Sequence, residues 1–268
     1  MASSLSIKIN PIRFLNIGSV ILSTLILGPI VCLFWISFGD SEGVWSHLID
    51  TVIFRYFWNT FSLMIGVALL SALIGVGGAW LISNYSFPYS KFLDWLLLLP
   101  AACPAYLVAY AYTDFLEYAG QVQGVIRNIF NYSSPNEYYF PEIRSLGGAI
   151  FVMSFVLYPY VYVLARTAFR KAPLTLYQVA QLYQKSTFLR VGLPLARPSI
   201  FAGIALICME VVSDFGTVEY FSLETLTLGI FNVWIGMNSI TAAAQLSVIT
   251  FILVIGLLIL ETRSRAAQ

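Results

Sequence analysis

The sequence predicts an all-α, polytopic membrane protein with about six membrane-spanning helices, and three observations carry that reading. Hydrophobic residues make up 59% of the 268 and charged residues 10%, where soluble domains have about 45–50% and about 25%; the mean hydropathy of +0.82 agrees. Six stretches are apolar over roughly the 20 residues a helix needs to cross the hydrocarbon core. Lysine and arginine also alternate from loop to loop as the positive-inside rule requires. Neither an ordinary water-soluble enzyme nor a nucleic-acid binder, which needs a basic surface, fits a chain of net charge +1 with this composition.

Taken in order, the spans run over about residues 14–38, 59–83, 92–115, 146–168, 199–212 and 242–260. Lys8 and Arg13 precede the first, but its apolar core is too long for a signal peptide and no small-x-small cleavage site follows, so it reads as an uncleaved helix. Gly75, Gly77 and Gly78 in the second read as contact points between helices. The third carries Pro100 and Pro104, which break the helix and free carbonyls that must find partners or line a wet cavity. Those prolines are gate candidates, beside the plainer reading of a kinked packing helix. Glu210 and Asp214 interrupt the fifth. Four residues apart, they are predicted to share a helical face, and embedded carboxylates tend to face a bundle interior or an aqueous cavity. A pathway or gate position and a structural hydrogen-bonding role both stay open for Glu210; Asp214 also reads as a marker of the outer boundary.

With six crossings, one side collects Lys8, Arg13, Lys91, Arg166, Arg170, Lys171, Lys185, Arg190, Arg197, Arg263 and Arg265, and the other only Arg55, Arg127 and Arg144. Losing one span would scramble that split. Both termini are therefore expected on the cytoplasmic side of the membrane. The whole chain reads as a single transmembrane domain with an inner loop over residues 169–198.

That inner loop is the functional candidate. Residues 166–197 hold six basic side chains and no acid. Within "LTLYQVAQLYQ", Leu176, Val179, Leu182 and Tyr183 fall at spacings of three and four, one apolar face of a helix too short to span. Such a helix lies on the membrane surface or fits a groove on a cytoplasmic partner. Pro194 and Pro198 then predict a turn in the chain before Ser199 opens the fifth span.

The segment "YQVAQLYQKSTFLRVGLPLARPSIFAG" resembles the EAA loop of ABC-transporter permeases. With "LLLLPAACPAYLVAYAYTDFLEYAG", "RSLGGAIFVMSFVLYPYVYVLAR", "MEVVSDFGTVEYF" and "AAAQL", the chain from about residue 92 to 262 is similar to the ferric-iron group of binding-protein-dependent importers. The resemblance implies a permease fold, no enzymatic activity of its own, and three partners: an ABC ATPase subunit, a periplasmic substrate-binding protein, and a second permease half or a second copy of this chain. It implies that Gln178, Val179, Ala180, Leu182, Gln184, Ser186, Leu193 and Pro194 form the ATPase-coupling loop. Gln178 and Gln184 stand where the family has Glu and Gly, and the link from Ser186 to Phe188 is about three residues shorter than usual. The iron group also commonly carries two such halves in one polypeptide, so one half alone is expected to pair with a copy or a partner, or to be a truncated product. Other substrates (thiamine, polyamine, sulfate), an ion-coupled carrier using Glu210 and Asp214, and an inactive remnant are the alternatives.

No cofactor is expected. The chain has no Gly-x-x-x-x-Gly-Lys-Ser/Thr loop, so ATP must be hydrolysed elsewhere, and "DFG" at 214–216 matches the kinase motif by letters alone. Cys32, Cys103 and Cys208 lie far apart in apolar runs, which supports neither a disulfide nor a zinc site, and His47 reads as an exposed loop residue. Tyr138, Tyr139, Glu137 and Glu142 offer the hard oxygen ligands ferric iron prefers, but tyrosine at this depth is ordinary for an interfacial belt, and no metal site is assigned.

Overall fold

The computed structural model describes residues 11–266, and among them there is no strand. Lys8 lies outside the described residues, as do the side chains of Arg13 and Arg265. An apolar segment in hydrocarbon has no water to bond its amides, so it satisfies them along its own helix. The long elements are α1 (Pro11–Ser37), α3 (Ile53–Asn84), α7 (Leu146–Lys171), α9 (Leu193–Ser213) and α12 (Ile240–Ala266). Short elements connect them: α2 (Val44–Thr51), α4 (Ser90–Leu96), α5 (Ala105–Leu116), α6 (Gln121–Phe130), α8 (Leu174–Leu182), α10 (Gly216–Tyr220) and α11 (Leu226–Phe231).

Five helices are long and apolar enough to cross a membrane; the sixth apolar stretch is a pair, Ser90–Ala102 and Ala105–Phe130, bent by 99°. The cause of the bend is local. A 3₁₀ turn over Leu99–Ala102 follows α4, and Cys103 and Pro104 are extended before α5 restarts, because the ring of Pro104 disfavours helical backbone at the residue before it. Helix α5, with 12 residues, is about 18 Å long, shorter than the core it would need to cross alone. Ala101, Ala102, Cys103 and Pro104 are all exposed at this break.

The fifth span begins earlier than its prolines suggest. A single apolar helix runs over Phe188–Ser213 and does not turn before Ser199. A π-helical turn over Phe188–Gly192 leads into α9, with the Leu193 amide donating to the Phe188 carbonyl. This wide turn puts Pro194 in the first turn of α9, where a missing N–H forfeits little.

Helix α7 is the centre of the bundle. Val152, Met153, Val156, Leu157, Val161, Tyr162 and Ala165 are buried against Leu63, Val67 and Ala79 of α3 and Ile200, Ile207 and Val211 of α9. Glycines set the spacing. A Cβ on Gly75 would lie 2.9 Å from the Tyr158 carbonyl oxygen, and one on Gly203 would lie 2.8 Å from the Val161 Cα, so α3 and α9 close on opposite sides of Val161 through small residues. A Cβ on Gly78 would lie 3.6 Å from the Tyr162 ring, whereas one on Gly77 would meet nothing within 4 Å beyond its own helix.

Helix α1 packs mainly on α12. Gln245 of α12 pins its end: Nε2 donates to the carbonyls of Ser37 (3.0 Å) and Gly39 (3.1 Å), and Oε1 accepts the indole N–H of Trp45. Large apolar side chains such as Leu25, Leu69, Leu73 and Ile252 point outward, as lipid-facing positions must.

Candidate functional site

Helix α8 is built to show one face and bury the other. Lys171 ends α7, Ala172 and Pro173 are extended, and α8 starts at Leu174. Tyr177 and Ala180, three apart, are buried against the bundle. Leu176, Val179, Leu182 and Tyr183 are exposed, Leu182 at 81%, and so are Gln178, Gln184, Lys185 and Ser186. The apolar stripe read from the spacing is therefore the free face. Of the coupling-loop residues named from the resemblance, Ala180 points inward, and Leu193 and Pro194 are half-buried at the start of α9.

The buried face closes on Trp80 near the end of α3. Its ring lies 5.3 Å from Phe169, 6.0 Å from Tyr177 and 5.0 Å from Phe188, centroid to centroid. A Cβ on Gly192 would lie 2.5 Å from the indole. Four elements meet on one side chain: α3, α7, α8 and the π turn. The Tyr177 hydroxyl has no hydrogen-bond partner among the described residues, and burial pushes its phenol pKa up, so it is the ring that anchors α8. Trp80 carries no periodic signal in the sequence, and a tryptophan at the end of an apolar run reads as an interfacial residue; only Tyr177 and Ala180, spaced by three opposite the stripe, hint at a second face.

The end of α8 explains one departure from the EAA pattern. Gln184 has φ 51°, the Lys185 amide donates to the Ala180 carbonyl and the Gln184 amide to that of Gln181, each at 2.9 Å. That bond pair with a left-handed residue is a Schellman cap, and Gln184 occupies the position glycine fills most easily. Ser186 follows as the cap of the next helix, its Oγ accepting the Leu189 amide at 3.2 Å, which is how so short a link works. Gln184→Gly is expected to stabilise the chain by about 0.5–1 kcal/mol, because a left-handed conformation is costly for residues with a Cβ. Gln184→Pro, with φ locked negative and the amide removed, is expected to cost about 3 kcal/mol. Thermal unfolding in detergent reads both, and a lower melting temperature for the glycine variant would refute the left-handed assignment.

The carboxylates of the fifth span have different surroundings. Glu210 is on α9 and exposed; Asp214 closes α9, its amide donating to the Glu210 carbonyl at 2.9 Å, and its carboxylate caps α10. Its Oδ1 accepts the Thr217 amide (2.7 Å) and its Oδ2 the Thr217 hydroxyl (2.8 Å). Burial pushes the Asp214 pKa up, against the lowering effect of those bonds. The two prolines of the third stretch sit on either side of the break already described.

At the opposite end, Tyr138, Tyr139 and Glu142 line a cavity of about 550 Å³ with Glu117 and Arg144. Tyr138 donates to Gln123 Oε1 at 2.6 Å, Glu137 accepts from the Ser133 amide and hydroxyl, and Arg144 Nε donates to Glu117 at 2.6 Å. Among the described residues no group of three or more His, Cys, Asp or Glu is placed to hold a metal ion.

A bundle of six apolar stretches, one broken at Pro100–Pro104, with a short helix that exposes an apolar stripe between the fourth and fifth, has structural counterparts. The chain superposes on a chain of the bacterial alginate ABC transporter in complex with an alginate pentasaccharide-bound periplasmic protein, with a TM-score of 0.73, 16% identity, and 95% and 94% of the two chains covered. A second structure, of a bacterial ABC transporter involved in import of the acidic polysaccharide alginate, matches with a TM-score of 0.72, 16% identity and 97% of each chain. The fold is that of an ABC-transporter permease. In sequence, this permease fold is matched by PhnU of Salmonella choleraesuis, named as a permease protein of a 2-aminoethylphosphonate transport system, at 21% identity over 264 residues, covering 94% of this chain and 91% of that one. No family model matches. These counterparts are named for phosphonate and alginate, and the chain covers 91%, 94% and 97% of their lengths.

Proposed function

We propose that this chain is the permease subunit of a binding-protein-dependent ABC importer in a bacterial inner membrane, and that α8 is the helix its ATPase grips. One observation carries the reading: α8 leaves Leu176, Val179, Leu182 and Tyr183 exposed while Tyr177 and Ala180 lock it to the bundle. An apolar stripe on a helix fixed to a basic end is the helix-in-groove mode of recognition. The basic end is the cytoplasmic one, so both termini and α8 lie inside, and a periplasmic binding protein meets the opposite end.

ATP binding would close two ATPase subunits, displace α8 and reorient the bundle. The break at Pro100–Pro104 supports a pathway there. Irregular backbone at membrane depth is tolerated where it is buried in protein or lines water, and here residues 101–104 are exposed on this chain, so a second permease, a copy or a separate partner, or an aqueous cavity covers them. The same holds for Glu210. An ion-coupled carrier built on the Glu210–Asp214 pair is disfavoured, because Asp214 is engaged in capping α10.

For the substrate, the resemblance of the segments on either side of the loop favours ferric iron, whereas the counterparts' names favour phosphonate or alginate; iron, 2-aminoethylphosphonate and alginate oligosaccharide are the solutes to assay. In sealed membrane vesicles carrying the intact system and loaded with ATP, uptake is expected to stop when vanadate is enclosed with the ATP and to survive an uncoupler. Uptake that resists vanadate and collapses with the uncoupler would reject ATP coupling.

A further inference from the structure

Two clusters use the last turns of α7 from different sides. Trp80 holds α8 against Phe169, as described. One residue on and three back are Arg170 and Arg166, and both reach α4. Asp94 accepts the Arg170 guanidinium on Oδ2 at 2.9 Å, and on Oδ1 the Arg166 guanidinium and the Tyr162 hydroxyl, the last at 2.6 Å. The Asp94 and Arg166 side chains are only 17% and 20% exposed, so that pair is sheltered from the screening that makes surface ion pairs weak, whereas Arg170 is 49% exposed. No residue of α4 is buried, which makes Asp94 its main polar tether. Helix α4 runs on through the 3₁₀ turn into the break at Cys103 and Pro104.

We propose that the end of α7 is a relay. Trp80 and Phe169 receive the displacement of α8, and Arg166 and Arg170 pass it through Asp94 to α4 and so to the broken span. The inference rests on the reading of α8 as the ATPase-docking helix, and it makes Trp80 and Asp94 positioning residues for transport. Packed side chains with two discrete arrangements are the physical means by which such coupling travels. It also accounts for Gly192, whose missing side chain lets the indole reach the π turn.

The chain supplies its own reporter, since Cys103 is exposed at the break and Cys208 is buried. In a Cys32→Ala background, the tagged chain is purified in nanodiscs with the ATPase that accompanies it, and Cys103 is labelled with a water-soluble maleimide with and without ATP and vanadate. Trapping is expected to change the wild-type labelling rate by about tenfold. Asp94→Asn and Trp80→Leu are each expected to shrink that response to about twofold or less, with ATPase still bound and Cys208 still unreactive, and Asp94→Glu is expected to restore part of it. A full response in both variants overturns the relay, as does a wild-type complex that hydrolyses ATP without altering Cys103. Wild-type chain that carries no ATPase at all overturns the α8 reading itself, and the relay with it.

Discussion

Leu182→Asp is expected to release the ATPase subunit from the complex and abolish ATP-driven uptake, while the chain still inserts and folds. Leu182 is 81% exposed near the end of α8, touches nothing that holds the bundle together, and lies in the stripe with Leu176, Val179 and Tyr183. A carboxylate forced into an apolar groove is desolvated without a partner, and removal of a central anchor typically costs about 2–4 kcal/mol of binding, roughly 30- to 1,000-fold in affinity. Co-purification measures the loss; membrane content and the unreactive Cys208 report insertion and folding. Unchanged ATPase retention would place the docking face elsewhere. Tyr177→Phe serves as the contrast: it keeps the buried ring and should leave retention unaltered.

Gly203→Leu is expected to destabilise the bundle strongly. The position faces the Val161 backbone, 2.8 Å from where even a single methyl would sit, while Gly75 presses on the same turn of α7 from α3. Neither neighbour is the mobile tip of a flexible side chain, so accommodation requires α9 to move away from α7 and leave gaps along Ile200, Ile207 and Val211. Overpacking of a tight core costs about 1–3 kcal/mol and sometimes more, and the backbone contact puts this substitution at or above about 3 kcal/mol. Exposure of Cys208 to a thiol-reactive dye on heating in detergent would follow it. A melting temperature within a degree or two of the parent would show that the helices are not packed through these glycines.

The sequence made the spans legible because hydrocarbon imposes a length and a composition on each of them, and it made the docking stripe legible because residues 176, 179, 182 and 183 keep helical periodicity. The break at Pro100 and Pro104 was visible for the same kind of reason: proline's effect on its own backbone is local. Reading the prolines at 194 and 198 as a turn failed because the register of the helix before them decides whether a missing amide matters, and the π turn at Phe188–Gly192 has no sequence signature of its own. Asp214 closes its helix at the register the spacing to Glu210 implies, but that its carboxylate caps the following helix is a tertiary detail the spacing does not encode. Asp94 with Arg166 and Arg170, more than 70 residues apart, and Trp80 with its three rings are products of tertiary packing that no periodicity encodes.

Gln245 ties the last helix to the first, across 208 residues of sequence to Ser37. A ribosome therefore releases α1 into the bilayer long before its main neighbour exists, and greasiness alone must keep the newborn helix in place. The bundle can be fastened only after α12 has been made. A chain stalled before α12 would present the bare carbonyls of Ser37 and Gly39 and an unclaimed Trp45, a mark by which membrane proteases could tell an incomplete product from a finished one.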